Sequence, residues 1–137
     1  MKEHTPPAPD TPLSVLIVDD EAPARERLRD LLGDIAERHP TRLVGMAANG
    51  IEALGLLDTT PADLILTDIR MPAMDGIEMA KAAAARYPGL RILLMTGYAD
   101  QRERAHGLDA LIHDVITKPF SVADIRNAVN GALIARK

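Results

Sequence analysis

The chain has 137 residues, of which 47% are apolar and 26% are charged, and this composition fits one soluble globular domain with its own core. The absence of cysteine excludes disulfides and thiolate zinc sites, and no apolar run approaches the roughly 20 residues that cross a bilayer. A net charge of -4 and an aromatic content of 2% argue against direct binding of nucleic acid, which relies on basic and stacking side chains.

The N-terminal segment, residues 1–12, contains four of the ten prolines. It is predicted to be a flexible tail that precedes a single domain at residues 13–136. Because the segment lacks the apolar core of a secretion signal, a cytoplasmic location is expected.

After this tail, five short apolar stretches alternate with helical patterns. The strands are predicted at 13–18, 42–47, 63–67, 91–96 and 112–117. The helices are predicted at 19–39, 49–58, 76–86 and 100–110, with a last helix that begins after Ser121 as its N-cap. Strands without a polar face indicate a parallel sheet covered on both sides. We therefore predict an α/β fold, a doubly wound (βα)5 three-layer sandwich with a five-stranded parallel sheet.

Apolar residues at helical spacing predict which helix faces point to the core. In the first helix this stripe comprises Ala24, Leu28, Leu31, Leu32 and Ile35. In the second helix it comprises Ile51, Leu54 and either Leu56 or Leu57. In the last helix it comprises Val122, Ile125, Val129 and Leu133.

Polar residues follow four of the predicted strands. Asp19, Asp20 and Glu21 follow the first, Asp68 the third, Thr96 ends the fourth and Lys118 follows the fifth. The carboxyl ends of parallel strands share one edge, where such sheets bind ligands. Singly, each residue could be a helix cap, a loop acid or a solvated lysine, so the prediction depends on their convergence.

Neighbouring carboxylates at this edge would repel one another by several kcal/mol, about 4 at a separation of 4 Å and an effective dielectric near 20. A hard divalent cation relieves this repulsion, and carboxylate oxygens are the ligands that Mg²⁺ prefers. The sequence therefore predicts Mg²⁺ as the cofactor. An ammonium group beside the acids would add a small anion-binding site.

Four motifs in order resemble the receiver domain of bacterial two-component response regulators. They are "LIVDDE", "ILTDIRMPAMDGIEMA", "LLMTGYAD" and "TKPF", and the resemblance covers about residues 13–136. It implies a flavodoxin-like sheet with strand order 2-1-3-4-5. It also implies a phosphoaccepting signalling switch rather than an enzyme, since the domain catalyses only its own phosphoryl transfer and autodephosphorylation. The implied partner is a sensor histidine kinase or a phosphotransfer protein.

Carried over residue by residue, the resemblance implies roles for the site. Asp68 would be the phosphoacceptor, Lys118 would pair with it and then with the phosphoryl oxygens, and Thr96 would turn toward the phosphate. The implied Mg²⁺ ligands are Asp19, Asp20, Asp68 and the backbone carbonyl of Arg70. The bond between Lys118 and Pro119 resembles the family's cis peptide.

The sequence departs from the family's pattern at the switch. Many receivers have an aromatic residue three positions before the lysine, and here that position is Val115. Tyr98 and Arg70 each lie two residues beyond a site residue. We hypothesise that Tyr98 takes over part of the switch or shields the phosphoryl group. Two bulky side chains flanking the phosphoryl group would exclude water, which predicts slow autodephosphorylation.

Two other interpretations compete with a stand-alone receiver. The chain could be the receiver of a larger transcriptional regulator. It could also be a Mg²⁺-dependent phosphatase with an aspartyl-phosphate intermediate, but such enzymes place a second acid where this chain has Arg70. The cognate kinase, the downstream protein partner and homodimerisation are left open.

Overall fold

The computed structural model describes residues 12–37, 40–71, 73–97, 112–118 and 120–135. The strands are β1 (Leu13–Val18), β2 (Thr41–Ala47), β3 (Leu64–Asp68), β4 (Arg91–Thr96) and β5 (Asp114–Thr117). The helices are α1 (Ala22–Asp34), α2 (Gly50–Thr59), α3 (Gly76–Arg86) and α4 (Val122–Ala135). The helix predicted at 100–110 and nearly all of the predicted tail lie outside the described residues.

The five strands form one parallel sheet in the order β2-β1-β3-β4-β5. This confirms the predicted doubly wound topology and strand order. Strand β3 ends one residue later than predicted, so Asp68 is the last residue of the strand rather than the first of a loop. Strand β5 begins two residues later than predicted, at Asp114.

The central strands β1, β3 and β4 are buried on both faces, which explains their continuous apolar sequences, whereas the edge strands β2 and β5 are only partly buried. Along β1, Leu16 and Val18 pack with α2 and α3 on one face. Val15 and Ile17 pack with α1 and α4 on the other face. Alternate residues of a strand point to opposite faces, so a strand covered on both sides needs apolar residues throughout.

Three of the helices begin at capped N-termini. Asn49 Oδ1 accepts a hydrogen bond from Glu52 N at 2.8 Å at the start of α2. Asp75 and Glu78 form a reciprocal capping box at α3. Ser121 Oγ accepts from Asp124 N at 3.1 Å, as predicted for the last helix. These caps satisfy backbone donors that a helix leaves unpaired in its first turn.

Two of the predicted core residues are exposed. Ile51 is 59% exposed, because the buried face of α2 consists of Gly50, Ala53, Leu54 and Leu57. At about 100° per residue, Ile51 lies well to one side of that face. Val122 is 39% exposed because it is the first residue of α4, whereas Ile125 and Val129 are fully buried. The predicted first helix was also too long, since α1 ends at Asp34.

Candidate functional site

The polar residues that follow the strands lie at one edge of the sheet. Strand register places Val18 opposite Thr67 and Thr96 opposite Thr117, so the ends of β1, β3, β4 and β5 lie within two residues of one another along the strand direction. Four polar residues at this edge are buried: Asp19, Thr67, Asp68 and Thr96. The convergence predicted for Asp19, Asp68, Thr96 and Lys118 is therefore present.

Lys118 connects the acids from different strands. Its Nζ lies 3.2 Å from Oδ2 of Asp19 and 3.4 Å from Oδ1 of Asp68. The carboxylate of Asp19 is fully buried and that of Asp68 is nearly so, whereas the lysine side chain is 29% exposed. A buried carboxylate needs such a partner, because an unpaired charge away from water is costly.

Burial and charge shift the titration of this pair. Burial raises the pKa of Asp68 to about 6, with Lys118 opposing the shift and the charges of Asp19 and Asp20 adding to it. Burial acts to lower the pKa of Lys118, but the charges of Asp68 and Asp19 outweigh it and raise that pKa above its usual value. Near neutral pH, Asp68 is thus mostly a carboxylate beside a protonated lysine.

The backbone of Asp68 is held from two sides. Thr67 Oγ1 donates to the carbonyl oxygen of Asp68 at 3.0 Å. Gly76, at the start of α3, packs so closely against this carbonyl that a Cβ on Gly76 would collide with it. The loop between Asp68 and Gly76 is closed by a hydrogen bond in which Gly76 N donates to Ile69 O at 2.8 Å. Neither Thr67 nor Gly76 was predicted as a site residue, although both lie in the motif "ILTDIRMPAMDGIEMA".

Three adjacent acids offer a group of ligand atoms. One carboxylate oxygen from each of Asp19, Asp20 and Glu21 lies within 4.8 Å of the other two. Asp19 Oδ1 accepts from Glu21 N at 3.0 Å, which orders the loop after β1. Asp20 and Glu21 are exposed, so they can be reached by a cation. An all-oxygen donor set suits a hard ion such as Mg²⁺.

The remaining predicted residues differ in their placement. Thr96 is buried at the end of β4, and its carbonyl oxygen accepts from Lys118 N at 2.7 Å. Arg70 is exposed, two residues beyond Asp68. Val115 pairs with Leu94 and packs, partly buried, on the face covered by α2 and α3. Tyr98 and Pro119 lie outside the described residues.

Comparison with known proteins identifies the family. Residues 15–130 match the model of the response regulator receiver domain. The chain is 37% identical over 98 residues, 72% of its length, to an uncharacterised transcriptional regulatory protein, YhcZ, of Bacillus subtilis (strain 168). It is 35% identical over 84% of its length to sporulation initiation phosphotransferase F of the same organism, and the match covers 89% of that protein.

Solved structures show the same architecture. The signal receiver domain of an HD domain-containing protein from Pseudomonas fluorescens Pf-5 aligns with a TM-score of 0.81 and 26% identity, covering 92% of this chain and 98% of that chain.

The chain spans less than half of several matched regulators, 44% of YhcZ and 47% of the response regulator MprA of Mycobacterium sp. (strain KMS). Within the described residues, no helix is both long and apolar enough to cross a membrane. By its matched residues and its fold, the chain belongs to the receiver domain family of response regulators, which are signalling switches of two-component systems.

Proposed function

We propose that this domain accepts a phosphoryl group on Asp68 from the phosphohistidine of a sensor histidine kinase or a phosphotransfer protein. The phosphorylated form then changes conformation to control a downstream partner. The observation that carries this proposal is the nearly buried carboxylate of Asp68 with the Lys118 ammonium 3.4 Å from its Oδ1. This pair sits at the sheet edge where ligands of doubly wound folds bind.

The chemistry follows from the two charged groups. A carboxylate oxygen of Asp68 attacks the phosphorus, and an O–P bond forms as the P–N bond to the donor imidazole breaks. The product is an acyl phosphate on Asp68. Lys118 neutralises charge on the phosphoryl oxygens, and its contact with the fully buried Asp19 holds it at the site.

The acidic group supports a role for Mg²⁺. Asp19, Asp20 and Asp68, with the backbone carbonyl of Arg70, would hold the ion. Asp19, Asp20 and Glu21 form the acidic trio at this site. When bound, Mg²⁺ supplies positive charge that stabilises the transferred phosphoryl group. Without such a cation, Asp68 must ionise near Asp19 and Asp20, whose charges raise its pKa.

The conformational switch is proposed to begin at Thr96, whose hydroxyl would turn toward the phosphoryl group. Thr96 is buried at the end of β4, the strand between Asp68 and the lysine loop. Val115 has no ring that could rotate between buried and exposed positions. We propose that the change is instead carried by repacking of Val115 against its neighbours on the α2 and α3 face.

The larger context has two proposed forms, both in the cytoplasm. A receiver within a longer transcriptional regulator is supported by YhcZ, of which the match covers 44%. A stand-alone domain with a tail at residues 1–12 and the receiver at 13–136 is supported by phosphotransferase F, of which the match covers 89%. In both forms the receiver binds its phosphodonor protein directly and does not itself bind DNA.

Chemical phosphorylation tests the proposal. The protein is incubated with Mg²⁺ and acetyl phosphate, and the intact mass is measured. One acid-labile phosphoryl group per chain is expected, with its loss in Asp68→Asn and its retention in Asp58→Asn, which changes an exposed acid paired with Arg86. Steady release of phosphate over many turnovers per second would instead support the phosphatase alternative.

A further inference from the structure

Two arginines of α1 donate to backbone carbonyls of two loops at the site. Arg25 Nη1 lies 2.7 Å from the carbonyl oxygen of Asp19, directly after β1. Arg27 Nη2 lies 3.1 Å from the carbonyl oxygen of Phe120, two residues beyond Lys118. One helix therefore contacts both the loop that carries the acids and the loop that carries the lysine.

These two loops meet in the contact between Asp19 and Lys118. The distance between Lys118 Nζ and Asp19 Oδ2 is 3.2 Å, so a small shift of either loop changes the position of the ammonium group. On the side of β4, Lys118 N is held by Thr96 O at 2.7 Å. On the side of α1, the lysine loop is held by the hydrogen bond from Arg27 to the carbonyl oxygen of Phe120.

Leu28 of α1 and Phe120 of the lysine loop belong to one buried cluster, yet open space remains between the helix and the loop. A cavity of about 300 Å³ lies there, lined by Asp19, Ala24, Arg27, Leu28, Lys118 and Phe120. The guanidinium of Arg27 reaches Phe120 beside this cavity. A hydrogen bond from a charged donor contributes more than a neutral one, and a planar guanidinium fixes its direction. Arg29, on the same helix, instead makes an exposed pair with Asp30 at 3.5 Å.

We infer that Arg25 and Arg27 are positioning residues for phosphoryl transfer, Arg25 acting on the acidic loop and Arg27 acting through Lys118. The inference rests on the proposed function of Asp68. It assigns distinct effects to the two residues, because the acids would hold the metal whereas the lysine contacts the phosphoryl group. Neither arginine needs to touch the reacting atoms.

The first test is the maximal rate of phosphorylation by acetyl phosphate at saturating Mg²⁺. A small donor avoids any effect on docking of a partner protein. Arg27→Ala is expected to lower the rate about tenfold. This is the size of effect seen when a residue that orients a metal ligand through a hydrogen bond is removed. Arg27→Lys, which keeps a charged donor, should recover much of the loss, and Arg29→Ala should match the wild type. Equal rates for Arg27→Ala and Arg29→Ala would overturn the role of Arg27.

The second test asks whether Arg27 acts through Lys118. In a Lys118→Ala background, adding Arg27→Ala is expected to cause no further loss of rate, since the group that it positions is gone. If the same loss recurs without the lysine, Arg27 acts elsewhere and the inference fails. Circular dichroism of each variant verifies that the fold is retained.

The third test concerns Arg25 and uses Mg²⁺ alone, without a phosphodonor. Arg25→Ala is expected to weaken Mg²⁺ affinity about tenfold, because it removes a residue that orients the loop of the metal ligands. Arg27→Ala should leave the Mg²⁺ affinity unchanged. Equal weakening in both variants, or in neither, would contradict the division of roles. If the wild type takes no phosphoryl group on Asp68, the proposed function fails, and the Mg²⁺ titration still decides the role of Arg25.

Discussion

Lys118 reaches Asp68 although their strands are not neighbours in the sheet. Strand β4 lies between β3, which ends with Asp68, and β5, which precedes Lys118. The lysine Nζ is nevertheless 3.4 Å from Asp68 Oδ1. The side chain therefore passes across the end of β4, where Thr96 is buried. The acceptor, the hydroxyl and the ammonium are thus placed at the ends of three neighbouring strands.

The buried acceptor predicts that stability depends on pH. The pKa of Asp68 is raised from 3.8 to about 6 in the fold, so the folded chain holds a proton there more tightly than the unfolded chain. The protonated form therefore adds to the free energy of unfolding. This contribution is complete below pH 3.8 and is lost as the pH rises through about 6. Asp68→Asn, which mimics that form, should therefore stabilise the metal-free protein at high pH by about 2–3 kcal/mol.

Urea unfolding of both proteins in the presence of a chelator measures this effect. The difference between Asp68→Asn and the wild type should be present at about pH 8 and nearly absent at about pH 3. A difference that is the same at both values would show that the substitution acts through packing and not through the charge.

Bound Mg²⁺ should stabilise the folded protein, because only the fold brings Asp68 to the adjacent acids Asp19 and Asp20. At a Mg²⁺ concentration ten times the dissociation constant, the gain is about 1.4 kcal/mol. Asp20→Asn should remove most of it, while Asp58→Asn should retain it, since both acids are exposed but only Asp20 belongs to the acidic trio. The melting temperature with Mg²⁺ and with excess chelator measures the effect, and an equal gain in both variants would contradict the site.

Gly76 should tolerate no side chain. A Cβ at Gly76 would collide with the carbonyl oxygen of Asp68, whereas a Cβ at Gly55 meets open space. Gly76→Ala is expected to cost about 3 kcal/mol or more, because backbone must shift. Gly55→Ala, in the interior of α2, should stabilise the protein by about 0.5–1 kcal/mol. Chemical unfolding of the two variants gives the comparison, and a loss of similar size at both positions would contradict the close contact.

The loop between β3 and α3 contains a residue in the left-handed region. Ala73 has a φ of 66°, which a side chain disfavours and glycine accepts. Ala73→Gly should therefore stabilise the protein by about 1 kcal/mol. Ala85→Gly, at an exposed position in α3, should destabilise it by a similar amount, about 1 kcal/mol. Opposite shifts in melting temperature are expected, and shifts of the same sign would contradict the assigned backbone conformation.

Arg70 is predicted to protect the phosphoryl group from water. It is exposed and lies two residues beyond Asp68. In Arg70→Ala, the phosphoryl group should be lost severalfold faster than in the wild type, as followed by intact mass after removal of the donor. Arg86→Ala, which removes an exposed arginine paired with Asp58, is the control. An unchanged lifetime in Arg70→Ala would show that the prediction is wrong.

Much of the fold could be predicted because its central strands β1, β3 and β4 are buried on both faces. Strands β1 and β4 and helix α3 have the predicted bounds. Continuous apolar runs mark the strands, and Pro88 ends the helix because proline disfavours helix in the residue before it. The pattern failed at Ile51 and Val122, where an apolar residue falls outside the covered part of its helix. Helical spacing indicates an apolar stripe, but only the packing of neighbouring elements decides how far that stripe is covered.

The sequence by itself determined which chemical groups end the strands and that they share one edge, because parallel strands carry their carboxyl ends to the same side. Only the tertiary structure decided that Asp19 is fully buried while the adjacent Asp20 is exposed. It also decided that Gly76 packs on Asp68 and that Arg27 reaches Phe120. Such contacts join residues that are distant in the chain. Folding also removes the carboxyl group of Asp68 from water, and this burial raises its pKa.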